Sequence, residues 1–225
     1  MKTEVKMQFK GLLFDLDGTL VDSNAAVDRS WMRWCERNDI DFAVASKVYH
    51  GRPAGETIKE LLDGCDADKV EQEIAWLQHQ ESTDVEGVVA LPGALDFIEK
   101  LSELNIPWAI VTSGTLPVAT ARIKAAKIPQ PSVLITPERV SRGKPDPEPY
   151  VLGASELGFD AKDCVVFEDA PSGLISGNAA GAKTVGVLSQ FKEEQLPKAD
   201  AYVSAMEVVD VEGSEGDWAL NFTQK

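Results

Sequence analysis

The chain concentrates its reactive groups at a few sharply defined places. Phe14-Asp15-Leu16-Asp17-Gly18-Thr19-Leu20-Val21-Asp22-Ser23 puts three carboxylates within eight residues, directly after the apolar Gly11-Leu12-Leu13-Phe14. Desolvating two like charges two residues apart is unfavourable unless a cation or a proton compensates. Asp15 and Asp17 therefore point to a metal ion, a catalytic acid, or both. Two further apolar runs end the same way: Trp108–Val111 runs into Thr112-Ser113-Gly114, and Val165–Phe167 into Glu168-Asp169.

These endings acquire meaning from the elements that carry them. Short apolar runs recur at Leu12–Phe14, Trp108–Val111, Val133–Ile135, Val165–Phe167, Thr184–Leu188 and Ala201–Val203. Helical patterns lie between several of them. Leu95, Ile98, Leu101 and Leu104 follow a Pro92-Gly93 start, and Gly181 marks the stop of the Ser172–Ala180 stretch. Strands alternating with helices imply an α/β fold, a Rossmann-like parallel sheet covered on both faces. Ligands of such sheets bind beyond the carboxyl ends of the strands. Three independent strands deliver acids or hydroxyls to that edge, so residues far apart in sequence can converge there.

Residues 23–88 break the alternation. Val27, Trp31, Trp34 and Cys35, then Ile58, Leu61 and Leu62, then Val70, Ile74 and Leu77 give amphipathic helical faces with no clear strand between them. The block is too long for an ordinary crossover. It reads as an inserted helical cap over a core made of residues 1–22 and 89–225. Asp22 stands either among the acids of the site or as a structural cap of the helix entering the lid. The tail from Val208 to Phe222 has apolar residues on both sides of a glycine-containing turn and reads as a small hairpin.

Bulk properties narrow the function. At 225 residues, with 44% hydrophobic and 26% charged residues, the composition is that of a globular protein. A formal charge of −15 disfavours nucleic acid and anionic membrane surfaces as partners. It would also repel an anionic substrate, so any phosphate site must be locally positive. Cys35, Cys65 and Cys164 are widely spaced and form neither a disulfide framework nor a zinc motif. No apolar run approaches a signal peptide or a membrane span, which makes a reducing cytoplasm the expected setting.

Several motif readings fail on spacing. An EF-hand loop needs Gly at position six and Glu at twelve, whereas counting from Asp15 puts Gly18 at four and Ala26 at twelve. A receiver domain is a shorter single domain without a lid. Val-Thr-Ser-Gly-Thr lacks the spacing of a nucleophile elbow. His50 and His79, the two histidines, form no H-E-x-x-H motif.

The quoted pieces together resemble a known family. Asp15-Leu16-Asp17-Gly18-Thr19, Val111-Thr112-Ser113-Gly114, the Gly143–Tyr150 stretch GKPDPEPY and the Phe167–Gly173 stretch FEDAPSG follow, in order, the four motifs of the haloacid dehalogenase superfamily. The likeness spans residues 9–206, and the helical block resembles that superfamily's inserted cap of the first type. Within it, the text around the motifs is most similar to sugar and polyol phosphatases, both bacterial hexitol and fungal glycerol-phosphate and deoxyglucose-phosphate enzymes. The resemblance implies that Asp15 is the nucleophile and becomes an aspartyl phosphate. It implies a Mg²⁺ ion held by Asp15, the Asp17 backbone carbonyl and Asp169, with Glu168 as accessory ligand or orienting group. Asp17 would protonate the leaving group and then activate water. Thr112 and the Ser113 amide would bind the phosphoryl oxygens, and Lys144 would offset their charge.

Relatives with other chemistry fit less well. A dehalogenase attacks carbon and has no need of Mg²⁺, yet this chain has Asp17 and the Glu168-Asp169 pair. A β-phosphoglucomutase has a His five residues after the counterpart of Asp22, where this chain has Val27. A non-catalytic phosphate-binding module has no reason to keep Asp17. The expected substrate is a small phosphate ester of a sugar or polyol, with His50 and Arg52 of the lid as recognition residues. Phosphoglycolate phosphatase and a phosphosugar mutase are the alternatives.

Overall fold

A computed structural model describes residues 3–49, 52–214 and 216–224. The chain starts with strand β1 (Thr3–Phe9), followed by β2 (Gly11–Phe14) and the short β3 (Val21–Asp22). Four helices come next: α1 (Asn24–Asn38), α2 (Phe42–Ala45), α3 (Ala54–Leu61) and α4 (Ala67–Thr83). Then β4 (Val89–Ala90) pairs back antiparallel onto β3. Beyond it lie α5 (Ala94–Glu103), β5 (Trp108–Val111), α6 (Leu116–Ala125), β6 (Val133–Ile135), α7 (Glu148–Glu156), β7 (Cys164–Glu168), α8 (Pro171–Ala179) and β8 (Lys183–Val187). Strands β9 (Ala201–Val203), β10 (Val209–Ser214) and β11 (Asp217–Gln224) complete the fold.

The six apolar runs read from the sequence form one six-stranded sheet in the order β6-β5-β2-β7-β8-β9, with every pairing parallel. The central strands are apolar throughout because both faces are covered. Leu12 and Phe14 point into one layer with Phe97, Trp108 and Phe167, while Leu13 points into the other with Val111, Tyr150 and Val166. Phe14 and Phe167 stack at 5.1 Å and meet Phe97 edge-on at 6.1 and 6.2 Å. Full burial of such a ring contributes about 1.5–3 kcal/mol, so the aromatic cluster fixes the register of β2 against β7.

The tail is the hairpin read from the sequence: β10 pairs antiparallel with β11, from Val209 opposite Phe222 to Ser214 opposite Asp217. The sequence reading missed β1, which adds a third strand along β11. Its signal is an alternation, with Met7 and Phe9 buried between exposed neighbours. These two join Val211, Trp218, Leu220 and Phe222 in the main core.

The helices between β3 and β4 have an apolar core of their own, built from Trp31, Trp34, Tyr49, Ile58 and Leu77. Trp31 stacks on Tyr49 at 4.8 Å and meets Trp34 edge-on at 5.4 Å. Asp41 caps α2 through the Ala43 amide, and Asp66 caps α4 through the Lys69 amide. Where the block leaves the sheet, Arg29 of α1 forks onto Asp84 at 2.7 and 3.1 Å and donates to the Glu86 carbonyl at 2.7 Å. Arg33 adds a further bond to Asp84 at 2.9 Å. The first turns of α1 are thereby tied to the segment after α4. Among the described residues, no helix is long and apolar enough to cross a membrane.

Candidate active site

The sheet ladder delivers Asp15, Thr112 and Asp169 one residue past strands β2, β5 and β7. The Asp15 amide donates to the Phe167 carbonyl at 3.0 Å and the Thr112 amide to the Ile135 carbonyl at 2.9 Å. Each side chain thus leaves the sheet from a backbone fixed by its neighbour. Asp15, Asp17, Thr112, Ser113, Lys144, Glu168 and Asp169 all line one cavity of about 120 Å³. Lid residues Val27, Trp31, Tyr49, Arg52 and Glu81 close its other side.

Lys144 is the hub. Its ammonium donates to Asp15 Oδ1 at 2.7 Å, Glu168 Oε1 at 2.7 Å and the Val111 carbonyl at 2.8 Å, using all three donors. Burial disfavours its charge, but the facing Asp15 and Glu168 carboxylates outweigh that and hold its pKa above the usual range. Glu168 is held as firmly: it also accepts from the Tyr150 hydroxyl at 3.1 Å and the Ala170 amide at 2.9 Å. A Cβ on Gly173 would lie 1.6 Å from Glu168 Oε1, so the first turn of α8 approaches this carboxylate in a way only glycine permits. Three donors, from Lys144, Tyr150 and Ala170, thus fix the Glu168 carboxylate beside the ammonium.

Asp15, Glu168 and Asp169 are buried and bring carboxylate oxygens within 4.8 Å of one another. Burial, the largest cause, pushes the Asp15 carboxyl up to about 8, with Glu168 adding and Lys144 opposing. Burial followed by the Glu168 and Asp15 charges likewise pushes Asp169 up. One ammonium faces three carboxylates, a surplus of negative charge that a cation would offset. The donors are all oxygens, the set that suits a hard divalent cation such as Mg²⁺, so the residues present fit such an ion. Gly18, at φ +86°, lets the opening loop pass this cluster; a Cβ there would meet Asp169 Oδ2 at 2.2 Å.

The phosphate-binding candidates also stand at the cavity. Thr112 Oγ1 accepts from the Gly114 amide at 3.0 Å, which shapes the turn after β5, while Ser113 lies alongside. Asp22 accepts from the Asn24 amide at 3.2 Å at the start of α1. Arg52 reaches the cavity wall but pairs with Glu60 at 2.9 Å on the lid. His50 falls outside the described residues.

Three residues escaped the sequence reading. Ser23 donates to Asp17 Oδ1 at 2.6 Å instead of capping α1. Arg122 of α6 binds Asp17 Oδ2 at 2.9 Å through Nη1 and Glu81 Oε1 at 3.2 Å through Nη2. The signal was there in the helical period. Arg122 continues the buried face of Val118 and Ala119, and Glu81 continues the stripe Val70, Ile74, Leu77. A charge on an apolar stripe needs a partner, and each supplies it to the other.

Residues 12–187 match the haloacid dehalogenase-like hydrolases. Hexitol phosphatase A of Escherichia coli is 43% identical over 205 residues, covering 91% of this chain and 95% of its own length. Glycerol-1-phosphate phosphohydrolase 1 of Saccharomyces cerevisiae is 34% identical over 199 residues, covering 83% and 78% respectively. Among solved structures, a hydrolase from Pseudomonas syringae superposes with a TM-score of 0.75 at 26% identity, over 87% of this chain and 93% of that one. A β-phosphoglucomutase from Clostridium difficile reaches 0.77 at 19% identity over 88% and 92%, a likeness of fold alone. The chain belongs to the haloacid dehalogenase-like hydrolase family.

Proposed function

We propose that the chain is a Mg²⁺-dependent phosphatase that hydrolyses sugar or polyol phosphates through an aspartyl phosphate on Asp15. The carrying observation is the convergence of Asp15, Asp17, Thr112, Lys144 and Asp169 on one cavity at the carboxyl edge of the sheet. Asp15, Asp169 and the Asp17 carbonyl would hold the ion, with Glu168 next to them. When bound, Mg²⁺ neutralises charge on the phosphoryl oxygens and on the attacking carboxylate. Asp15 attacks phosphorus as the P–O bond to the alcohol breaks, and Asp17 gives its proton to the departing alkoxide. Asp17 then takes a proton from the water that cleaves the acyl phosphate. Thr112 and the Ser113 amide orient the phosphoryl oxygens, and Lys144 offsets their charge.

Residues 23–88 act as a lid on the core of residues 1–22 and 89–225, excluding bulk water during transfer. The likeness to a hexitol phosphatase and a glycerol-1-phosphate phosphohydrolase supports a hydroxyl-rich substrate over phosphoglycolate. Arg122, the buried guanidinium at the cavity, is already divided between Asp17 and Glu81 and is not free for a substrate carboxylate. Val27 on the same wall offers no proton relay, which favours release of phosphate over return transfer to a sugar. The three cysteines are free thiols, in keeping with the cytoplasm as the enzyme's setting.

A phosphate-release assay across hexitol, hexose, glycerol and glycolate phosphates, with Mg²⁺ and with excess chelator, tests this reading. Polyol and sugar esters should exceed the glycolate ester in kcat/KM, and chelation should abolish turnover. Full turnover in chelator, or isomerised sugar phosphate as the main product, would overturn it.

A further inference from the structure

We propose that Arg122, anchored by the lid residue Glu81, is the positioning residue that aims the Asp17 carboxyl at the leaving group. The inference rests on the phosphatase reading above and adds to it a residue from outside the four sequence motifs. Arg122 lies on α6, behind the phosphate-binding turn, and only 5% of it is exposed. Its two terminal nitrogens are divided between two carboxylates, Nη1 at 2.9 Å from Asp17 and Nη2 at 3.2 Å from Glu81. Asp17 is thus held from two sides, by Ser23 on Oδ1 and by Arg122 on Oδ2.

A planar guanidinium holds each partner in a direction, which a flexible ammonium does not. The Asp17 carboxyl is 24% exposed at the cavity, so without a directional partner its rotation would be restrained by Ser23 alone. Glu81, 11% exposed on α4, fixes the other end of the fork and makes the lid helix part of the acid's support. Arg122 touches Asp17 and is not required to touch the reacting atoms, so its effect must appear in the step that Asp17 performs.

That step has a signature. A departing alkoxide needs the proton from Asp17, whereas 4-nitrophenolate leaves readily without it. The test compares kcat/KM for glycerol 1-phosphate and for 4-nitrophenyl phosphate in wild type, Asp17→Asn, Arg122→Met, Arg122→Lys and Glu81→Gln, with thermal melting of each. In the Arg122 variants the alkyl-to-aryl ratio should fall by on the order of 10–100-fold. Arg122→Lys should recover part of it, and Glu81→Gln should show a smaller fall of the same kind. Should Arg122→Met fail to fold because Asp17 and Glu81 then face each other unpaired, Arg122→Lys and Glu81→Gln decide the matter. Equal losses on both substrates, or an unchanged ratio, would overturn the positioning role. The underlying reading is scored separately by Asp17→Asn: an unchanged ratio there would remove Asp17 as the acid, whatever Arg122 does.

Discussion

The two walls of the cavity use charge in opposite ways. On the core side, Lys144 spends all three donors on groups carried by three adjacent strands, and its carboxylate partners are almost wholly buried. On the lid side, Arg52 is about a third exposed, and its partner Glu60 about half exposed, on helix α3 of the lid itself. A buried hub anchored by backbone cannot shift without breaking several bonds, which suits chemistry that tolerates little displacement. A solvent-screened pair can exchange partners at small expense, which suits a wall that adapts to the alcohol portion of a substrate. Arg122 is the exception, a core residue that reaches across to Glu81 and joins the two walls.

The sharpest way to break this contrast is to remove the proposed nucleophile, Asp15. Asp15→Asn leaves the shape of the core wall intact and should reduce phosphate release by on the order of 10⁴-fold or more, because an amide cannot form the acyl phosphate. Rapid-quench labelling with a ³²P-ester checks it, and normal labelling would mean that another residue attacks phosphorus.

Lys144→Met attacks the hub as structure. It leaves Asp15 and Glu168 facing each other without their cation, so unfolding in urea should show a loss of about 3–5 kcal/mol. Added Mg²⁺ should restore part of that stability by binding the native acidic cluster. A variant as stable as wild type in the absence of metal would show that the hub is not the rigid element the core wall requires.

Arg52→Ala tests the adaptable wall. It should reorder kcat/KM among polyol, hexose and glycerol phosphates by several-fold to about tenfold, while leaving 4-nitrophenyl phosphate within about twofold and Tm nearly unchanged. Equal losses on every ester would assign Arg52 to the chemistry and erase the distinction between the walls.

The smallest effect belongs to the base of the lid. The hydrogen-bonded fork of Arg29, against an opposing effect of burial, holds the Asp84 carboxyl down at about 2. A carboxyl whose pKa is lower folded than unfolded adds stability above its unfolded value, near 3.9. That contribution fades as pH falls through about 4 towards 2. Asp84→Asn should therefore lose on the order of 1 kcal/mol at pH 7, since the pair is partly screened by solvent. The gap to wild type should narrow by about half as the pH is lowered to 3 in urea titrations. A gap that stays constant with pH would mean that packing, not the ion pair, holds the base of the lid.

What the sequence determined by itself was whatever local pattern and position along a strand dictate. Trp108–Val111, Val133–Ile135 and Ala201–Val203 are strands as read, because a continuous apolar run bounded by polar residues can be buried on both faces only in a covered sheet. The groups following Leu12–Phe14, Trp108–Val111 and Val165–Phe167 had to share one edge, which made the convergence of Asp15, Thr112 and Asp169 legible without coordinates. The amphipathic helices between residues 23 and 88 were legible for the same periodic reason, and β1 was missed because its alternation sits among charges. Tertiary structure decided the pairings across distance. Nothing local told that Ser23 would turn from its helix to Asp17, that Tyr150 would bind Glu168, or that Arg122 and Glu81, forty-one residues apart, would meet over Asp17. A buried charge announces that it needs a partner, and only the packing of α4 on α6 chooses which one.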